Sequence, residues 1–160
     1  MLSVMLPRFG IKTTFVDPSE PINFSKAVKK NTKLFFTESL GNPKLDVVDI
    51  EEISKYSKNH KIPLMVDNTV PSPALLNPIK HGANIVIHSL TKYINGNGTS
   101  LGGVIIDAGT FDWSNDKFPE FTEPSPGYHG LVYSEVIGSA SYIAKVRIEG
   151  LRDLGGSLSP

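Results

Sequence analysis

Short apolar runs alternate with amphipathic stretches along the chain, and several of the runs end abruptly on polar groups. The sharpest case is Ile85-Val86-Ile87-His88-Ser89-Leu90-Thr91-Lys92-Tyr93, where the β-branched residues of a buried strand give way to hydroxyls and a lysine. Gly96, Gly98 and the pair Gly102-Gly103 follow, positions where a backbone can turn sharply or lie close to a ligand. Strand character also marks residues 12–16, 34–38, 62–69 and 101–107, the third of these being apolar until Asp67. Helical spacing fills the gaps. Residues 22–30 align Phe24, Ala27 and Val28, and residues 47–59 align Val47, Ile50 and Ile53 behind Asp46 as cap. Residues 74–80 form a short helix closed by Gly82, and residues 132–154 read as one long helix stopped by Gly155-Gly156. Residues 108–130 have no period and are rich in Pro, Gly and aromatics, which marks a functional or interface segment.

This alternation predicts an α/β fold with a mainly parallel sheet and helices on both faces. The return from Lys92 to Leu101 is too short for a helical crossover, so the strand over residues 101–107 is expected to run antiparallel to its neighbour.

Composition narrows the functional classes. The 160 residues suit one domain, and 16 basic residues balance 16 acidic ones, so no net field recruits nucleic acid or an anionic membrane. There is no cysteine, which removes disulfides, thiol nucleophiles and thiolate metal ligands. The opening residues lack the basic head and long apolar core of a signal peptide, and no apolar run approaches membrane-spanning length. A cytoplasmic protein is expected.

The chemistry gathers at strand ends, where ligands of open α/β sheets bind: Glu38 with Asn42, then Asp67, then Ser89 with Thr91 and Lys92. One short crossover separates Asp67 from Lys92, which makes their strands neighbours. A lysine among hydroxyls suits imine chemistry on a phosphorylated cofactor, and an aspartate beside a pyridine nitrogen keeps that ring electron-withdrawing. Taken singly, each residue has a duller role: Asp67 as a turn aspartate, Asn42 before Pro43 as turn chemistry, His88 as a packed histidine. His60, His81, His88 and His129 show no metal-ligand spacing. Ser89-Leu90-Thr91-Lys92 matches the S-x-x-K pattern of penicillin-recognising hydrolases, but a strand enters it and no Ser-Asp-Asn or Lys-Thr-Gly partner is present. Gly96-Asn97-Gly98-Thr99-Ser100 fits neither glycine-rich phosphate-loop pattern.

The combination of Glu38-Ser39-Leu40-Gly41-Asn42-Pro43, Val66-Asp67-Asn68-Thr69, His88-Ser89-Leu90-Thr91-Lys92-Tyr93 and Leu101-Gly102-Gly103-Val104 resembles the Cys/Met-metabolism family of pyridoxal-phosphate enzymes. Gly102 to Asp107 continuing into Phe111-Asp112-Trp113, with Phe118-Pro119-Glu120-Phe121 and Tyr128-His129-Gly130, is similar to its O-acetylhomoserine sulfhydrylase branch. The resemblance implies pyridoxal 5'-phosphate held as an imine on Lys92, Asp67 against the pyridine nitrogen, Ser89 and Thr91 at the phosphate, and Asn42 near the phenolic oxygen or the substrate carboxylate. It implies γ-replacement of acetate on O-acetyl-L-homoserine by sulfide or methanethiol, giving homocysteine or methionine, with Lys92 moving protons between substrate carbons. The alternatives are a cystathionine synthase or lyase activity, or an inactive remnant that only packs against other chains. Residues 1–160 are then expected to be the middle of a fold-type-I large domain, without the N-terminal arm and the C-terminal small domain, from an enzyme that is tetrameric at full length. Asn97 stands where this branch commonly carries histidine.

Overall fold

Phe35 and Thr37 are buried while Phe36 and Glu38 are exposed, the period-two signature of a strand with one covered face. In the computed structural model, which describes residues 1–158, this strand β1 (Phe35–Glu38) lies at one edge of a four-stranded sheet. The order is β1, β2 (Leu64–Asp67), β3 (Ile85–Ser89), β4 (Gly103–Asp107). The first two pairings are parallel, and β4 returns antiparallel with Ser89 opposite Gly103 and Ile85 opposite Asp107. Fold class and the orientation of the last strand thus follow the sequence expectation.

Two apolar layers sandwich the sheet. Leu64, Val66 and Val86 point to one face, where Phe24 of α1 (Ile22–Lys26) and Ile50 and Ile53 of α2 (Ile50–His60) cover them. Ile85, with the half-buried Met65 and Ile87, points to the other face, beneath Trp113, Phe118, Phe121 and Tyr133. The segment 108–130 is therefore a core layer. Trp113 lies within 4.6–5.1 Å, centroid to centroid, of Phe111, Phe118, Phe121 and Tyr142. It shows no period because it serves one face with short turns, including α4 (Pro119–Thr122), instead of one long element. Behind this layer burial pushes the Asp107 carboxyl up from its ordinary range, against the pull of the Gly109 N–H.

Several elements differ from the pattern-based reading. Residues 12–16 form no strand: the segment joins no ladder, and Phe15 is exposed. The first helix ends at Lys26, where the backbone turns and the Lys29 N–H donates to Thr32 Oγ1 at 2.8 Å. The second starts at Ile50, because residues 41–46 fold back in a turn that bridges Leu40 to Val47. Its cap is Asp49, whose Oδ1 accepts from the Glu52 N–H at 2.9 Å, and not Asp46. Asp49→Ala is accordingly expected to cost about 1 kcal/mol, and Asp46→Ala no more than about 0.5 kcal/mol, as read from urea midpoints.

The helix expected over residues 74–80 is two turns, α3 (Ser72–Leu75) and Pro78–His81, separated by extended Leu76. Gly82 closes the second turn with φ +96°. An alanine there would be strained and would bring its Cβ to 2.4 Å from Ser54 Oγ. The long helix over residues 132–154 breaks at Gly138, φ +65°, into α5 (Tyr133–Val136) and α6 (Ser141–Lys145), followed by a widened turn over Val146–Asp153. Buried Ser141 stabilises the break by placing its hydroxyl 2.8 Å from the Tyr133 carbonyl and 2.5 Å from that of Gly138. No helix among the described residues is long and apolar enough to cross a membrane.

Candidate active site

Period two carries Asp67 onto the face of Met65, and Ser89 onto the face of Ile85 and Ile87. Both line a cleft of about 1050 Å³ at the carboxyl ends of β2 and β3. Gly102 and Gly103, at the amino end of β4, form another wall, and Leu158 lies across it. A Cβ added to Gly102 would fall 2.9 Å from Leu158 Cδ2 and 3.4 Å from Leu90 Cβ, so the Leu158 side chain would have to shift.

The strand ends are tied together by side chains. Asp67 Oδ1 accepts from the Thr69 N–H at 2.9 Å and from Thr69 Oγ1 at 2.6 Å. Thr69 Oγ1 in turn accepts from the Ser89 N–H at 2.8 Å. Ser39, just past β1, donates its N–H to the Asp67 carbonyl at 2.9 Å and its hydroxyl to Asn68 Oδ1 at 2.8 Å. Asn68 is fully buried, and its Nδ2 donates to the carbonyls of Ser72 and Leu76 at 3.1 and 2.8 Å, which fixes the chain leaving β2. Thr69, Asn68 and Ser39 carry no assigned role in the sequence reading. The readable signal was the Asp67-Asn68-Thr69 spacing, in which an aspartate bonds the backbone two residues on.

The remaining expected site residues lie around this cleft and are not among the residues that line it. Lys92 sits in the helical turn Leu90–Ile94 just beyond β3, at a backbone kink with φ −90° and ψ −115°. Its side chain is exposed, and its Nζ has no ion-pair partner among the described residues. Thr91 Oγ1 is committed to Gly102, accepting from its N–H at 3.0 Å and reaching its carbonyl at 3.3 Å, which closes the glycine turn onto the strand end. Asn42 is exposed, precedes a cis proline, and donates its backbone N–H to Glu38 Oε2 at 2.9 Å. Glu38 therefore shapes the turn that presents Asn42. His88, which does contribute to the cleft lining, is 4% exposed, a packed histidine. No group of three or more His, Asp or Glu side chains among the described residues is arranged to hold a metal ion.

A four-stranded mixed sheet, mostly parallel with one antiparallel pair and flanked by helices, is the architecture of the fold-type-I pyridoxal-phosphate enzymes. The chain belongs to the Cys/Met metabolism family of these enzymes: the model of that family matches residues 1–160. Among curated relatives, the chain is 53% identical over 168 residues to an O-acetyl-L-homoserine sulfhydrylase of Leptospira meyeri, covering 100% of this chain and 38% of that protein. It is 47% identical over 163 residues to a homocysteine synthase of Schizosaccharomyces pombe, with the same shares covered. Among solved structures, a Campylobacter jejuni protein described as an O-acetylhomoserine (thiol)-lyase, crystallised with a pyridoxyl-lysine monophosphate, superposes with a TM-score of 0.91 and 41% identity. That match covers 99% of this chain and 39% of the other. The chain thus spans about 38% of the length of these curated relatives.

The residues present fit a phosphorylated pyridine aldehyde. Neither Asp67 Oδ2 nor Ser89 Oγ is engaged by a protein group among the described residues, so both are open to a ligand in the cleft.

Proposed function

We propose that this chain supplies the lysine-bearing core of a pyridoxal-phosphate enzyme that replaces the acetate of O-acetyl-L-homoserine with sulfide or a small thiol. The observation that carries the reading is the single cleft shared by Asp67 and Ser89, with Lys92 three residues beyond Ser89. The names of the Leptospira and Schizosaccharomyces relatives support the substrate and the product, homocysteine. When bound, the cofactor supplies an electron sink for a carbanion on the substrate.

The chain's own residues do the rest. Asp67 would hold the ring nitrogen through Oδ2 and keep a proton there. Ser89 would donate to the phosphate, as would Thr91 if freed from Gly102. Lys92 would hold the cofactor's aldehyde end, its long flexible stem letting an exposed Nζ swing into the cleft from the adjoining turn. The same amine then carries protons between substrate carbons, and Asn42 contributes a polar contact at the rim. Full-length assembly as a homo-oligomer and a cytoplasmic location belong to the same reading.

A second reading is a stretch that holds the cofactor without supporting turnover, since positioning supplies much of an enzyme's rate. A chimera separates the two. Residues 1–160 are placed in the Leptospira meyeri enzyme in exchange for the stretch they match, and homocysteine formation from O-acetylhomoserine and sulfide is measured. Turnover within about tenfold of the parent is expected, because the exchanged stretch is 53% identical to the one it replaces. Cofactor binding without turnover would favour this second reading, and release of acetate with formation of cystathionine when cysteine replaces sulfide would favour the synthase alternative. The isolated chain is expected to turn over at least about 100-fold below the chimera.

A further inference from the structure

We propose that Thr69 is the positioning residue of this cleft, its hydroxyl deciding which oxygen of Asp67 stays open to a ring nitrogen. The inference rests on the cofactor reading above. One hydroxyl spans two strand ends: it donates to Asp67 Oδ1 at 2.6 Å and accepts the Ser89 N–H at 2.8 Å. The Thr69 N–H adds a second donor to the same carboxylate oxygen at 2.9 Å. A hydroxyl has one proton and two lone pairs. Here the proton goes to the carboxylate and a lone pair goes to β3, so the carboxylate's orientation is locked to the strand that leads to Lys92. With Oδ1 taking both Thr69 donors, Oδ2 remains as a directed acceptor for a protonated ring nitrogen.

Two other turns in the chain serve as internal controls. Asp17 accepts from the N–H and hydroxyl of Ser19 at 3.0 and 2.8 Å, and Asp112 from those of Ser114 at 2.9 and 2.5 Å. Both are exposed local turns, and neither serine hydroxyl accepts a bond from another element among the described residues. The bond to Ser89 is what sets Thr69 apart.

The test uses the 160-residue chain with Thr69→Val, which keeps the shape and removes the hydroxyl, and Thr69→Ser, which restores it. Exchange of the Ser89 amide is followed without cofactor. Affinity is then measured for pyridoxal 5'-phosphate and for its analogue with carbon in place of the ring nitrogen. Thr69→Val is expected to speed Ser89 amide exchange and to weaken pyridoxal phosphate roughly tenfold, the scale of one lost charge-assisted bond. Affinity for the carbon analogue should be unchanged, and Thr69→Ser should restore both wild-type values. Equal weakening of the two compounds would reduce Thr69 to a structural role and overturn the proposal, as would an unchanged pyridoxal phosphate affinity with the Ser89 amide released. If the wild-type chain itself fails to distinguish the two compounds, Asp67 does not meet the ring nitrogen, and the underlying reading falls first. Thr69→Ala provides the same comparison should valine unfold the chain.

Discussion

Borohydride reduction after addition of pyridoxal phosphate is expected to leave a phosphopyridoxyl group on Lys92, and Lys92→Ala is expected to abolish that adduct. In the chimera the same substitution should lower turnover by roughly 100- to 10,000-fold, the range for loss of a positioned acid–base group. Stability should hardly move, within about 0.5 kcal/mol, because the side chain is exposed and without an ion-pair partner among the described residues. Peptide mapping of the reduced protein is the check, since other exposed lysines such as Lys44 and Lys80 report the unselective background. An adduct spread evenly over these positions, and unaffected by Lys92→Ala, would remove Lys92 from the site. The outcome is informative because Lys92 is outside the residues lining the cleft. Trapping there would show that the side chain reaches in from the turn.

The second large effect is structural. Trp113 is 4% exposed and lies against four aromatic rings that cover Ile85 of the central strand. Trp113→Ala is expected to cost about 3–5 kcal/mol, a large part of the roughly 5–15 kcal/mol that holds a domain together. Its indole Nε1 is buried without a hydrogen-bond partner among the described residues. Trp113→Phe, which keeps an aromatic body and removes that donor, should therefore cost much less. Urea titration followed by circular dichroism compares the two variants. A near-neutral Trp113→Ala would mean that the segment 108–130 does not act as a core layer.

Those two residues show what can and cannot be read from the chain alone. Strands β1 to β4 were legible because each is a short apolar run bounded by turn chemistry, and the antiparallel return followed from the length of the glycine turn. That Asp67 and Ser89 share a cleft was legible from strand adjacency. Three things were not. The residue capping α2 depends on the Leu40–Val47 bridge, a pairing that neither side's local pattern announces. The break at Gly138 opposes an otherwise continuous helical stripe and depends on the buried Ser141 hydroxyl. The aromatic run after Ala108 reads as an interface segment, because its partner Ile85 lies before it, across the glycine turn and β4. The hydrogen-bonded tie through Thr69 was half legible: spacing marks the turn at Asp67, but only the fold brings the Ser89 amide to it.

The antiparallel return of β4 bears on the order of folding. Pairing Ser89 with Gly103 closes a shorter stretch of chain than either parallel pairing in the sheet. Loop closure is the entropic toll on early contacts, and it rises with the number of residues enclosed. The hairpin carrying Lys92 is therefore, by closure entropy alone, the strand pairing of the sheet that costs least to form. Doubling the length of the glycine turn would add only about 0.6 kcal/mol to that closure. The loop between the lysine turn and β4 is thus a place where length can drift from one lineage to another while the register of the strands around it holds.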